Sequence, residues 1–204
     1  MRKDTHMFAG FWLPANMLTI SRILVVPLIL ACWLVEMPYG KAISLLLFVL
    51  AGLTDLFDGL LARNRNEETH LGAFLDPVAD KILTVAVLLL LLQHFTPPAI
   101  LLLIPVVIIV SREIAVSALR ELAGRLSRQA DLQVISLAKG KTFLEFVAIS
   151  GLMLAGVSDF PWQKVIFLGS VLGIYLTALL SLVTLFQYVQ KVRQWRLASD
   201  EPPE

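Results

Sequence analysis

DLFDGLLARNRNEETHLGAFLDPVAD, residues 55–80, places four aspartates between two strongly apolar segments. SLLLFVLAGLT precedes this stretch and ILTVAVLLLLL follows it. A carboxylate without a partner in a bilayer interior costs roughly 3 kcal/mol or more. Asp55, Asp58, Asp76 and Asp80 therefore need a shared partner, and a divalent cation is the simplest one.

The spacing of these aspartates supports a shared cation. Asp55 and Asp58 are three residues apart, and Asp76 and Asp80 are four apart, so each pair lies on one face of a helix. The polar turn between them, RNRNEETHLG, is short enough for two helices to fold back antiparallel and bring the acidic faces together. Hard oxygen ligands in this number favour Mg²⁺, Mn²⁺ or Ca²⁺ over zinc.

Composition predicts the fold class. The chain has 204 residues and is 57% hydrophobic, and several apolar runs approach or exceed the roughly 20 residues that cross a bilayer. The runs are continuous rather than alternating, which favours helices over strands. We predict an all-α, polytopic membrane protein with six transmembrane helices in a single domain, residues 1–204. The predicted spans are 16–36, 41–64, 72–93, 99–122, 139–157 and 162–189, with Asn16 as the N-cap of the first.

The distribution of Lys and Arg predicts the orientation of the spans. Residues 1–13 are predicted to form an interfacial segment, and residues 191–204 a tail. One side of the membrane would receive Arg2, Lys3, Arg63, Arg65, Arg120, Arg125, Arg128, Lys139, Lys141, Lys191, Arg193 and Arg196. The other side would receive only Lys41 and Lys164. The positive-inside rule then makes both termini cytoplasmic and faces the acidic cluster toward the cytosol.

Basic residues are predicted at the same cytoplasmic ends of later spans. The candidates are Arg112, Arg120, Lys139 and Lys141. Arg112 lies deeper in its helix and is followed by Glu113, so we expect it to face a polar cavity. Carboxylate-bound metal beside Arg and Lys is typical of phosphate chemistry.

An ion-coupled carrier is the alternative reading of intramembrane acids. Gly59 directly follows Asp58, and Gly72 lies four residues before Asp76. Glycine permits close approach to the backbone. This favours a bulky ligand at the metal over a bare proton path.

The motif D-x2-D-G-x2-A-R-x8-G-x3-D-x3-D resembles the signature of the CDP-alcohol phosphotransferase family. Every spacing is intact across Asp55, Asp58, Gly59, Ala62, Arg63, Gly72, Asp76 and Asp80. Four further stretches are similar to bacterial members that use glycerol 3-phosphate as acceptor. These are NMLTISR at 16–22, GAFLDPVADK at 72–81, SREIAVSALR at 111–120 and GKT at 140–142.

The resemblance implies roles for individual residues. Asp55, Asp58 and Asp76 would bind two divalent ions, Mg²⁺ or Mn²⁺, while Asp80 would contact one ion and act as general base. The implied contacts to CDP-diacylglycerol are Asn16, Thr19, Asp58, Gly59, Ala62, Arg63, Thr69 and Gly72. The implied contacts to the acceptor phosphate are Arg112, Arg120, Lys139 and Lys141.

The implied reaction is phosphatidyl transfer from CDP-diacylglycerol to sn-glycerol 3-phosphate, which yields phosphatidylglycerophosphate and CMP. The resemblance also implies a homodimer in the bacterial cytoplasmic (inner) membrane, in contact with membrane lipids and with no nucleic acid partner. Another acceptor, phosphatidylglycerol in cardiolipin synthesis or inositol phosphate, would use the same chemistry. The ion-coupled carrier remains the alternative from a different class.

Overall fold

The computed structural model describes residues 14–35, 37–61, 70–95, 99–125, 136–157 and 161–199. Side chains are described for 20–35, 37–54, 78–95, 100–124, 140–157 and 161–195. Within these ranges the chain forms six helices and no strand, which confirms the all-α class. They are α1 (Pro14–Leu34), α2 (Gly40–Leu61), α3 (His70–His94), α4 (Ala99–Arg125), α5 (Ser136–Val157) and α6 (Gln163–Ser199).

Two predicted helix ends are wrong. α1 begins at Pro14, because the fixed φ of proline suits the first helical position, where its missing N–H is not needed. Asn16 therefore lies inside the helix and does not cap it. α6 runs on to Ser199, through much of the predicted tail 191–204, since KVRQWRLAS contains good helix formers and neither Gly nor Pro.

Three helical stretches in the described part of the chain are long and apolar enough to cross a membrane. They are Ile100–Gly124, Gly140–Val157 and Gln163–Trp195. Two shorter apolar stretches are Ile20–Leu34 and Gly40–Thr54. These lengths and compositions point to a membrane protein, while the six crossings and the cytoplasmic termini stay predictions.

The two faces of α6 are chemically opposite. Its buried face carries hydroxyl side chains at Ser170, Thr177, Ser181 and Thr184. Its exposed face carries leucines at Leu168, Leu172, Leu176, Leu179 and Leu182. This is the reverse of a helix on a soluble protein, and it fits a helix whose apolar side chains face lipid.

Contacts divide the chain into two compact units, and the first comprises Met1–His94 and Leu152–Lys164. In this unit α1 packs against both α2 and α3. A short turn joins α1 to α2, with Tyr39 at a φ of 64°. Gly40 begins α2 so close to α1 that a Cβ there would collide with the carbonyl oxygen of Cys32. The Ser44 hydroxyl donates to the Ile29 carbonyl at 2.9 Å and joins the two helices further along.

The second unit comprises Phe95–Gly151 and Val165–Glu204, and its helices pack through small residues. A Cβ on Gly173 of α6 would lie 2.9 Å from the Cβ of Ala148 on α5. A Cβ on Gly151 of α5 would collide with the Ser170 hydroxyl of α6. These contacts bring α5 and α6 together closely enough for their polar side chains to meet those of α4.

Candidate functional site

The four motif aspartates lie on α2 and α3, as the spacing predicts. Asp55 and Asp58 belong to the last two turns of α2, and Asp76 and Asp80 to the first half of α3. Both pairs therefore share a helix face. Asp80 is half-buried, while the side chains of the other three lie outside the described residues.

These residues suit a divalent metal by their donor chemistry. Two uninterrupted helices each carry a carboxylate pair at the right spacing, and an all-oxygen donor set favours Mg²⁺ or Mn²⁺. The described side chains contain no group of three or more His, Cys, Asp or Glu residues that could hold a metal. Because Asp80 alone of the four has a described side chain, the metal assignment stays a prediction.

The predicted nucleotide contacts lie at both ends of the motif and on α1. Asn16 and Thr19 belong to α1, which packs against the two motif helices. Gly59 lies two residues before the end of α2, and Gly72 lies in the first turn of α3. Ala62, Arg63 and Thr69 lie outside the described residues. Nothing described tests these contacts, and they stay predictions.

A network of charged side chains connects α4 and α5. Arg112 Nη1 donates to Glu113 Oε1 at 2.6 Å, and Lys141 Nζ donates to the same oxygen at 2.6 Å. Glu145 Oε2 lies 3.1 Å from Lys141 Nζ. Arg112 Nη2 also donates to the Thr184 hydroxyl of α6 at 3.1 Å. We call Arg112, Glu113, Lys141 and Glu145 the ion cluster.

The ion cluster is buried except at one member. The side chains of Arg112, Lys141 and Glu145 are 6%, 2% and 8% exposed, whereas that of Glu113 is 23% exposed. Two cations and two carboxylates give the cluster a formal charge of zero. Balanced pairing of this kind is what allows charged groups to lie inside an apolar bundle.

Arg120 and Lys139, the other two predicted phosphate contacts, differ from the ion cluster. Arg120 is exposed on α4, and its Nη2 donates to the hydroxyl of the fully buried Tyr188 at 3.3 Å. Its guanidinium carbon lies 5.8 Å from the centroid of that ring, in a cation–π contact. Lys139 belongs to α5, and its side chain lies outside the described residues.

Comparison with known proteins identifies the family. Residues 12–188 match the profile described as CDP-alcohol phosphatidyltransferase, which confirms the family predicted from the motif. The chain belongs to this family.

Named relatives within the family cover most of the chain. The chain is 34% identical over 173 residues to CDP-diacylglycerol–glycerol-3-phosphate 3-phosphatidyltransferase of Haemophilus influenzae. The aligned region covers 85% of this chain and 89% of that protein. A protein of the same name from Rickettsia bellii is 35% identical over 182 residues, covering 88% and 95%. One from Salmonella typhimurium is 32% identical over 180 residues, covering 87% and 93%.

Within this CDP-alcohol phosphatidyltransferase, sequence reasoning missed the part that Glu113 plays. The sequence predicts Arg112 and Lys141 as cations for a ligand phosphate, but both already bind one carboxylate oxygen of Glu113. The Lys141–Glu145 pair is four residues apart on one helix, a spacing that could have indicated it. Glu113 and Lys141 are 28 residues apart, so only the packing of α4 against α5 reveals their contact.

Proposed function

We propose that this protein transfers the phosphatidyl group of CDP-diacylglycerol to sn-glycerol 3-phosphate, which yields phosphatidylglycerophosphate and CMP. The observation that carries the proposal is the intact acidic motif in a chain whose relatives are named for this reaction. Those relatives are 32–35% identical to it over 85% or more of its length. Both carboxylate pairs of the motif lie on regular helices.

The proposed chemistry begins at Asp80 on α3. Its carboxylate takes the proton from the acceptor hydroxyl, and the resulting oxygen attacks the phosphorus that carries diacylglycerol. A new P–O bond forms to the acceptor, and the bond from that phosphorus to the oxygen of CMP breaks. Arg63 stabilises the negative charge on the departing CMP. Divalent ions held by Asp55, Asp58 and Asp76, with Asp80 in contact, would neutralise the diphosphate when bound.

The remaining predicted residues bind the two substrates in this proposal. The cytidine diphosphate contacts are Asn16, Thr19, Asp58, Gly59, Ala62, Arg63, Thr69 and Gly72. The phosphate of the acceptor contacts Arg112, Arg120, Lys139 and Lys141. Positive charge on these four side chains supports this assignment, since arginine and lysine are the usual phosphate ligands.

We also propose the setting of the reaction. The apolar runs support six crossings, and the asymmetric distribution of Lys and Arg supports cytoplasmic termini and a site that faces the cytosol. The bacterial inner membrane would supply the lipid substrate, and the cytosol would supply the acceptor. A homodimer is proposed from the family resemblance.

Release of CMP by the purified protein tests this function. The protein is incubated with CDP-diacylglycerol, Mg²⁺ or Mn²⁺, and one acceptor at a time. Release with glycerol 3-phosphate alone is expected, and chelation of the metal should abolish it. Release with phosphatidylglycerol or inositol phosphate instead would assign another acceptor. No release with any acceptor would favour the ion-coupled carrier.

A further inference from the structure

We propose that the Glu113 carboxylate occupies the acceptor's phosphate position in the ligand-free protein, and that the phosphate displaces it from Arg112 and Lys141. Glu113 is then a resident anion that a phosphate monoester must replace. The inference rests on the proposed function, in which Arg112 and Lys141 bind the acceptor phosphate, and it adds a specificity-determining residue to that site.

The geometry at one oxygen atom supports this exchange. Arg112 Nη1 and Lys141 Nζ both donate to Glu113 Oε1 at 2.6 Å. A guanidinium and an ammonium that converge on a single anionic oxygen form the pattern expected around a phosphate oxygen. Glu113 therefore holds both cations in a position to receive a phosphate.

Glu113 is the less buried of the two carboxylates in the ion cluster, although its two contacts are shorter than the contact of Glu145. Neighbouring positions on a helix do not face each other, so Arg112 and Glu113 meet only because both side chains turn toward Lys141. The Glu113 side chain is 23% exposed, whereas the Glu145 side chain is 8% exposed. Glu113 therefore has space outside the cluster to move into, while Glu145 stays as the fixed counter-ion of Lys141.

Charge balance requires one carboxylate to leave. The ion cluster is formally neutral, and a phosphate monoester brings a charge of roughly −1.5 to −2 at neutral pH. Adding that charge to a buried neutral cluster is unfavourable. Departure of Glu113 from the cluster releases two cations for the phosphate and leaves the buried charge closer to zero than if Glu113 stayed.

Arg112 can give its Nη1 donor to the incoming ligand and keep its other contact. Nη2 stays with the Thr184 hydroxyl, while a phosphate oxygen takes the place of Glu113 Oε1 at Nη1. The buried Nε, which has no hydrogen-bond partner among the described residues, lies on the Nη2 edge of the guanidinium and does not take part in the exchange. A neutral alcohol does not offer the charge to displace Glu113.

Three variants in the full chain test the exchange. In Glu113→Gln the resident group becomes a neutral, weaker competitor, while in Glu113→Asp the charge stays but the shorter side chain cannot reach both cations. Glu145→Gln is the matched control, because it removes the same charge from the same ammonium without touching Arg112. The measurements are the KM for glycerol 3-phosphate and the inhibition constant of inorganic phosphate, in phosphatidylcholine nanodiscs that contain no lipid phosphomonoester.

Both Glu113 variants should bind phosphate more tightly. Glu113→Gln is expected to lower both constants by about three- to tenfold, the scale of one ordinary hydrogen bond. Glu113→Asp should lower them by less, and Glu145→Gln should lower neither. Constants that rise or stay unchanged in both Glu113 variants would overturn the exchange. An equal decrease in Glu145→Gln would overturn it too, because general electrostatics would then explain the effect.

A direct binding measurement separates this inference from the proposed function. The rise in melting temperature on adding inorganic phosphate requires no turnover. It should be larger for Glu113→Asp than for the unsubstituted protein, and the opposite order would contradict the exchange. Absence of CMP release from the unsubstituted protein would instead contradict the proposed function.

Discussion

Two groups of charged residues lie in apolar helices of this protein, and they are balanced in different ways. The acids of α2 and α3 are four carboxylates on two helices, which makes a bound cation their natural partner. In the ion cluster each carboxylate already contacts a cation of the same chain. From this difference we expect the acids to take up a bound cation, and we expect the ion cluster to stabilise the bundle until a ligand competes for it.

The largest effect on activity is expected at Asp80, one of the four motif aspartates. Asp80→Asn should lower the rate of CMP release by about 10²- to 10⁴-fold, the usual contribution of a general base. Binding of CDP-diacylglycerol should largely persist, because the amide keeps the shape of the side chain. Near-normal turnover in this variant would remove Asp80 from the role of base.

Lys141→Met tests the ion cluster and should mainly lower the stability of the folded protein. It leaves the buried Glu145 without the cation 3.1 Å away, and breaking a buried pair from one side costs about 3–5 kcal/mol. The melting temperature of the purified protein reports this loss. The double variant Lys141→Met/Glu145→Gln should recover part of it, and a single variant as stable as the parent would show that the cluster is not a stabilising element.

Gly173→Ala tests whether the close packing of α5 against α6 stabilises the helices that carry the ion cluster. The new Cβ would lie 2.9 Å from that of Ala148, and overpacking of this kind costs about 1–3 kcal/mol. Gly169→Ala is the matched control, since a Cβ there meets nothing within 4 Å. The control should be neutral or slightly stabilising, because alanine favours a helix over glycine. Equal melting temperatures for the two variants would contradict the close contact.

Lys139→Ala should have the smallest effect and should appear in binding rather than in stability. Loss of one phosphate contact is expected to raise the KM for glycerol 3-phosphate by about tenfold, or roughly 1.4 kcal/mol. The KM for CDP-diacylglycerol should change much less. An equal rise in both KM values would argue against a contact to the acceptor phosphate. A large fall in melting temperature would show that Lys139, like Lys141, stabilises the folded protein.

The sequence alone predicts those features that depend on residues close together in the chain. The helical class and the helical placement of the aspartates follow from apolar runs and fixed spacings, and both are confirmed. The prediction of Asn16 as a cap is wrong because Pro14, two residues earlier, already begins the helix. The contact of Glu113 with Lys141 could not be predicted, because it depends on how α4 and α5 pack rather than on either segment.

α6 is long enough to measure the depth of the protein in the membrane. Its 37 residues extend over about 55 Å at 1.5 Å per residue, while the hydrocarbon layer of a bilayer is about 30 Å thick. A crossing by this helix therefore leaves about 25 Å of continuous helix outside the hydrocarbon. Single cysteines placed at exposed positions from Val189 onward would sample successive depths, and their reactivity with water-soluble thiol reagents would locate the lipid headgroups to within a helical turn.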